Sequence, residues 1–307
     1  MESGRQREQD AHAHVHVTLI ETSLMNVPEA VSLEGIETKP DKSTRRHESG
    51  SSSVVMKKSV VFEATSEEAA QVLVQHLFAQ NDIEIPGIAY AVSYKLAQGN
   101  TGGDIVDVYH YDNDAVAVAI ADIAGKGPQA AVHAAMIKYG LRAYSSAGMT
   151  PERVIRALDR LYLENNAFEK VESFASVFFG SIDPTRRLLH YTCAGHEPVF
   201  LMKPSGDHVQ LMPTAPLIGI FDDQHHLFKQ AFIDVTAGSL FIGATDGVTE
   251  ARDTAGELFG MERLIEIVRQ NRTAPEAAIV SAVMNAVDVF CHGKRRDDIA
   301  IVALRFL

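Results

Sequence analysis

The chain has 307 residues, 46% of them hydrophobic, and a formal net charge of −12. That size supports a packed core in one large domain or two small ones, and the charge disfavours non-specific binding to nucleic acid or to an acidic membrane. No apolar run approaches the ~20 residues of a membrane-spanning helix, residues 1–10 hold no readable signal peptide, and Cys193 and Cys291 belong to no CxxC or zinc spacing, so a cytoplasmic protein without a disulfide framework or structural zinc is expected.

Residues 1–56 differ from the rest. Residues 39–53 are rich in serine and charge, ending in Ser49-Gly50-Ser51-Ser52-Ser53. Such a composition buries too little apolar surface to fold alone, so this segment is expected to be disordered. The alternating His12, His14 and His16 fit a short β-like or solvated tail better than a metal-binding tract. Residues 15–20 have strand character but no partner that the sequence identifies. The globular part is expected over residues 57–307. It opens with a strand at 59–64, and Thr65-Ser66-Glu67-Glu68 is a capping box for a helix to about residue 80. A strand follows at 86–96, and a turn at 99–103 leads into Asp104.

Strands at 105–111 and 115–122 form a hairpin around Asp112-Asn113-Asp114. The second is small and apolar on both faces, as a strand buried between layers should be. Gly125-Lys126-Gly127-Pro128 ends it and opens a helix over 129–145. Ala130, Ala131, Ala134 and Ala135 suit close packing of that helix on a sheet. Thr150 before Pro151 starts a second helix to about residue 165. Strands are then expected at 174–182, 188–194, 199–202, 208–212, 227–235 and 239–244. Helices follow at 261–271 and 275–291, the second behind a capping box from Thr273 to Glu276. The last strand is 299–306. Runs of hairpins with paired helices make an α+β pattern, with stacked antiparallel sheets and helices outside, rather than β-α-β alternation.

Four aspartate motifs end apolar runs: Gly102-Gly103-Asp104, Ala121-Asp122-Ile123-Ala124-Gly125-Lys126-Gly127, Ala244-Thr245-Asp246-Gly247-Val248 and Asp297-Asp298. Desolvating carboxylates is costly, and crowding them costs more. A hard divalent cation removes that cost, since Mg²⁺ and Mn²⁺ prefer oxygen ligands. The pattern points to a carboxylate metal site, a kind that often hydrolyses phosphate esters. Taken singly, Asp246-Gly247 also fits a plain turn and Asp297-Asp298 a charged loop. Lys126 is no part of a Walker A loop, because GxxxxGK[ST] is absent. His196 is a tempting general acid, but hydrogen bonding within its turn is the expectation. His133 receives no role.

The motifs continue through Ile105-Val106-Asp107 after Asp104, Ala194-Gly195-His196-Glu197-Pro198, Pro216-Leu217-Ile218-Gly219, Thr249-Glu250-Ala251 after Val248, Gly256-Glu257-Leu258-Phe259-Gly260 and Ile299 after Asp298. In this order, over residues 87–307, they resemble the metal-dependent Ser/Thr protein phosphatases of the PPM family, in the bacterial SpoIIE-like branch. The resemblance implies two antiparallel sheets packed face to face, helices on both outer faces, and two Mn²⁺ or Mg²⁺ ions at one end. Asp122 would bridge the ions, with the Ile123 carbonyl as a further ligand. Asp246 and Asp297 would hold the second ion, and Asp104 would act mainly through metal-bound water. Asp297 is preferred to Asp298, which would cap the strand or hydrogen-bond locally. Asp122 and Asp246 would be the catalytic pair, activating a water for attack on phosphoserine or phosphothreonine. The implied substrate is a phosphorylated anti-sigma-factor antagonist of STAS type; the short N-terminal segment leaves activation either to a separate activator protein or to none, the enzyme then being constitutive. A phosphoprotein-binding pseudophosphatase and a small-molecule phosphohydrolase are the alternatives. The chain departs from eukaryotic-type members in two places. Ala124 stands where they carry histidine, and no upstream arginine is available near Asp104 to hold phosphate.

Overall fold

The computed structural model describes residues 15–19, 58–62, 83–95, 103–111, 115–125, 127–169, 172–185, 187–197, 199–221 and 227–307. The chain divides into two compact units, Met1–Ser66 and Glu67–Leu307. In the first, β1 (Val15–Leu19) pairs antiparallel with β2 (Lys58–Phe62), Val15 opposite Phe62. This supplies the partner that the sequence left unnamed. The expected disorder of residues 1–56 and the helix at 65–80 otherwise lie outside the described residues.

The second unit runs through β3 (Ile88–Lys95), β4 (Ile105–His110), β5 (Val116–Ile123), α1 (Pro128–Ser146), α2 (Pro151–Glu169), β6 (Ala175–Asp183), β7 (Leu188–Ala194), β8 (Val199–Met202) and β9 (His208–Gln210). It continues through β10 (Ala231–Asp234), β11 (Leu240–Ala244), α3 (Asp246–Thr249), α4 (Gly260–Gln270), α5 (Glu276–Phe290) and β12 (Ile299–Phe306). Two five-stranded antiparallel sheets result, in the orders β10-β7-β6-β5-β4 and β3-β12-β11-β8-β9.

Strand alternation sorts the side chains into three cores. Val116, Val118 and Ile120 of β5 meet Phe241, Val302 and Leu304 between the sheets. Ala117, Ala119, Ala121 and Ile123 point the other way, beneath Ala130, Ala131 and Ala134 of α1 and Leu158 of α2. On the far side, Ile242, Ile299 and Ile301 pack under Leu264 of α4 and Ile279 and Val283 of α5. Both sheets are therefore covered on both faces, which is why β5 and β12 read as unbroken apolar runs. The expected sandwich, with helices on both outer faces, is what forms. Among the described residues no helix is long and apolar enough to cross a membrane.

Three local expectations need correction. The second capping box does not form: α5 has Pro275 as its N-cap without a side-chain cap. Glu276 pairs instead with Arg305 of β12, whose guanidinium also donates to the carbonyls of Arg272 (2.9 Å) and Ala274 (2.6 Å). A full ion pair across the fold outcompetes a local cap. The strand expected at 227–235 shrinks to β10, because the Lys229 N–H turns to the Thr214 carbonyl and its own carbonyl takes the Thr192 hydroxyl. Helix α2 runs past residue 165 to Glu169.

Phe178 is fully buried between the sheets, with the rings of Tyr191 and Phe241 both at 5.4 Å. Phe178→Ala should lower the unfolding free energy by about 3–5 kcal/mol in urea titrations, a cost of the size seen for large core truncations. Phe168→Ala, at an 86% exposed position, should change it by less than about 0.5 kcal/mol.

Candidate active site

The strands deliver the aspartates to one end of the sandwich. In the β4–β5 ladder Ile105 stands opposite Ala121, so continuing the register sets Asp104 against Asp122. Both share the phase of Val106, Val118 and Ile120 and lie on the side between the sheets. Asp107 has the opposite phase, and Arg142 of α1 grips it with two hydrogen bonds of 2.7 and 2.8 Å. Its motif position therefore serves the helix layer, not the aspartate cluster.

The second sheet supplies the other half. Asp246 opens α3 immediately after β11, and Asp297 and Asp298 precede β12, the antiparallel partner of β11. Gly247 makes this junction possible, because a Cβ there would stand 1.8 Å from the Asp298 carbonyl oxygen. The β11 and β12 ends are stitched by the Thr245 N–H to the Ala300 carbonyl and the Ala300 N–H to the Thr245 hydroxyl, each 3.0 Å. Asp298 is buried and accepts a 3.3 Å hydrogen bond from Tyr94. Asp297 is exposed, and its carboxylate accepts the Asp298 N–H at 3.1 Å.

The carboxylates feel one another. Burial first, then the charges of Asp246 and Asp297, push Asp122 up to about 7, against a downward pull from a hydrogen bond with Asp104. Burial and then the Asp122 charge hold Asp104 well above the usual carboxylate range, opposed by a hydrogen bond with Thr245. Tyr94 is pushed upward by burial, then by Asp298, Asp104 and Asp297. The five aspartates thus share one electrostatic field. The sequence reading gave Asp298 only a local part and missed Tyr94 altogether, because a strand tyrosine 204 positions away carries no local signal.

This donor set fits a hard divalent cation. All its side-chain donors are carboxylate oxygens, and Asp104 Oδ2 is buried without a hydrogen-bond partner. Gly103 leaves room beside the Ile123 carbonyl, since a Cβ there would stand 3.1 Å from that oxygen. Among the described residues no three His, Cys, Asp or Glu side chains are drawn tightly enough together to hold an ion as they stand. Asp104, Asp122, the Ile123 carbonyl, Asp246 and Asp297 are the oxygen donors that could hold a divalent ion here once drawn together. A cavity of about 280 Å³ opens beside them, lined by Asp122, Ser176, Glu197 and Asp246 together with the apolar Phe174 and Leu217.

His196 ties the two halves together. It is fully buried, and its Nε2 lies 3.1 Å from the Ala244 carbonyl on β11. A carbonyl only accepts, so Nε2 carries the proton and Nδ1 accepts from the Ser176 hydroxyl, 2.7 Å away on β6. Ser176 is the ladder partner of Asp122, and Ala244 precedes Asp246 by two residues. The bonds reach two strands rather than closing within the turn as expected. Burial holds the imidazole down at about 4, so it is neutral near pH 7 and braces the site. The Cys193 thiol, hydrogen-bonded to the His196 carbonyl at 3.0 Å, is pushed by burial up to about 12.

Comparison with known proteins gives a consistent result. The family model described as Stage II sporulation protein E (SpoIIE) matches residues 112–307. Protein IcfG of Synechocystis sp. is 29% identical over 229 residues, covering 67% of this chain and 36% of IcfG. Phosphoserine phosphatase RsbU of Bacillus subtilis is 26% identical over 202 residues, covering 65% of this chain and 58% of RsbU. The chain thus spans well under two thirds of the length of these relatives. Among solved structures, the SiaA-PP2C domain of Pseudomonas aeruginosa superposes with a TM-score of 0.62 at 19% identity, covering 71% of this chain and 86% of that domain. The catalytic domain of the serine/threonine phosphatase PstP, solved with two manganese ions, superposes with a TM-score of 0.53 at 13% identity, covering 71% of this chain and 97% of that domain. These likenesses establish the shared fold.

Two outcomes follow from the geometry. In chelator, the folded protein holds protons on Asp122 and Asp104 that the unfolded chain, with carboxyls near 3.8, has already released. The Asp122 contribution is therefore complete below about pH 4 and is lost as pH rises through about 7, with Asp104 acting in the same direction. The Tm gained by Asp122→Asn over the parent should grow across that interval, and a pH-independent difference in thermal scans would contradict it. His196→Ala strands the buried Ala244 carbonyl, while the half-buried Ser176 hydroxyl beside the cavity can turn to water, and should cost about 1–3 kcal/mol in urea unfolding.

Proposed function

The chain belongs to the SpoIIE family, and from that membership we propose that it is a divalent-metal-dependent phosphatase acting on phosphoserine and phosphothreonine in proteins. The observation that carries the reading is the shared field of Asp104, Asp122, Asp246 and Asp297, with mutual repulsion that only protons or cations can relieve. A two-ion occupancy by Mn²⁺ or Mg²⁺ is proposed, with support from the manganese-bound PstP neighbour.

Asp122 from one sheet and Asp246 and Asp297 from the other would hold the ions. The Ile123 carbonyl and Asp104 would complete the set. When bound, divalent ions supply an acidified water and offset charge on the phosphoryl oxygens. The chain's own part is to fix the carboxylates from two sheets, to brace them through His196 and Ser176, and to line part of the cavity with the apolar Phe174 and Leu217. Near neutral pH His196 is unprotonated and both of its nitrogens are engaged, so it is not assigned as the leaving-group acid.

The proposed substrate is a phosphorylated anti-sigma-factor antagonist of STAS type in a partner-switching pathway. The similarity to phosphoserine phosphatases RsbU and RsbP of Bacillus subtilis supports this choice. We place the activity in the cytoplasm, in a catalytic domain of residues 57–307, with a separate protein as activator. A pseudophosphatase is the weaker reading, because all four metal aspartates are present. A small-molecule phosphohydrolase has no specific observation in its favour.

The test is hydrolysis of a phosphoserine protein and of a generic phosphate ester with Mn²⁺, with Mg²⁺ and with chelator. Turnover should need the metal and fall by at least about 10²-fold in Asp122→Asn and Asp246→Asn, as expected when transition-state charge stabilisation is lost. A chain lacking residues 1–56 should keep basal turnover. Metal-independent turnover, or none from folded metal-loaded protein, would defeat the reading.

A further inference from the structure

A second recess of about 90 Å³ adjoins the aspartates, lined by Asp246, Glu250 and Asp297 together with Arg252, Lys294, Arg295 and Arg296. Asp246 also lines the larger cavity beside Asp122, so one residue borders both spaces. The volume is that of about three water molecules, room for one small tetrahedral oxyanion. In a chain of net charge −12, four cations around one recess need a reason. Neutralising the aspartates is one, but Lys294 is exposed and has no side-chain partner among the described residues.

The cationic wall is built rather than draped. Helix α5 ends in a tight turn, with the Gly293 N–H on the Asp288 carbonyl and the Lys294 N–H on the Cys291 carbonyl, both 2.9 Å. His292 takes a φ of 51°, a left-handed value uncommon outside glycine. Arg295 is anchored by Asp288, which also holds Lys95 at 2.5 Å. That anchor ties down the turn whose neighbours Lys294 and Arg296 line the recess. Arg252 lies in a β-bridge with Leu258 and donates to the Gly256 carbonyl at 3.1 Å. Arginine and lysine are the usual phosphate partners, through charge-assisted hydrogen bonds. No arginine stands close upstream of Asp104 in the sequence to do this, the nearest being Arg46.

We propose that this recess is an oxyanion subsite that takes the substrate's phosphoryl group, with Lys294 and Arg252 as its principal contacts. The assignment rests on the phosphatase reading for its substrate, but its binding chemistry can be measured separately. Inorganic phosphate is titrated calorimetrically into the full chain, with Mn²⁺ and with chelator, using the parent, Lys294→Gln, Arg252→Gln and the double variant. Steady-state kinetics on a phosphoserine protein run alongside. Both residues are exposed, so the variants should fold, and their thermal scans should overlay the parent's.

The double variant should bind phosphate about tenfold or more weakly, the size expected for losing charge-assisted hydrogen bonds. Its KM should rise by a similar factor with a smaller change in kcat. Phosphate affinity unchanged within about twofold, with turnover intact, overturns the subsite and leaves the phosphatase standing. Phosphate binding that depends on Lys294 and Arg252 in a protein that hydrolyses no phosphoester supports the subsite and overturns the catalytic reading.

Discussion

Repulsion among carboxylates is the constraint around which this fold is arranged. Asp104 and Asp122 come from one sheet; Asp246, Asp297 and Asp298 come from the other. Each charge raises the cost of its neighbours, and burial raises it further. No local element would choose this arrangement. It persists because the apolar faces of both sheets meet in a core running from Val106 through Phe178 to Phe306, and the strand ends go where the ladders take them. The stability lies in the sandwich, and the tension sits at its rim.

The rim is held by polar ties that cross between strands of distant sequence. Tyr94 reaches Asp298, Thr245 binds the Ala300 N–H, and His196 joins Ser176 of one sheet to Ala244 of the other. Such ties are strong where water is excluded and costly when half broken. They hold each carboxylate at its strand end while leaving its charge exposed to the others. A neutral histidine suits this work, since it donates on one side and accepts on the other without adding charge.

Much of this was legible in the sequence because it is local or periodic. The two-faced apolar run of β5 announces a strand between layers, and the aspartates that end such runs announce a shared site. Small residues on one face of α1 announce close packing on a sheet. What escaped depends on partners far along the chain. Glu276 looks like a capping residue until Arg305 arrives from the last strand. Residues 227–230 look like strand until Thr214 and Thr192 take their backbone groups. Tyr94 and Ser176 sit in ordinary strand positions, and only the ladder register brings them to the aspartates. Asp107 lies inside the Asp104 motif without belonging to the site, because a shift of three residues turns it to the opposite face, toward Arg142.

The thiol of Cys193 offers a way to watch this rim directly. It lies fully buried between the sheets and next to the His196 brace. With its proton held to about pH 12 it is inert while the sandwich stays closed. An alkylating reagent can reach it only when β7 parts from its surroundings. The labelling rate of this one cysteine is therefore a clock for how often the two halves of the aspartate cluster separate, in a molecule that needs no added probe.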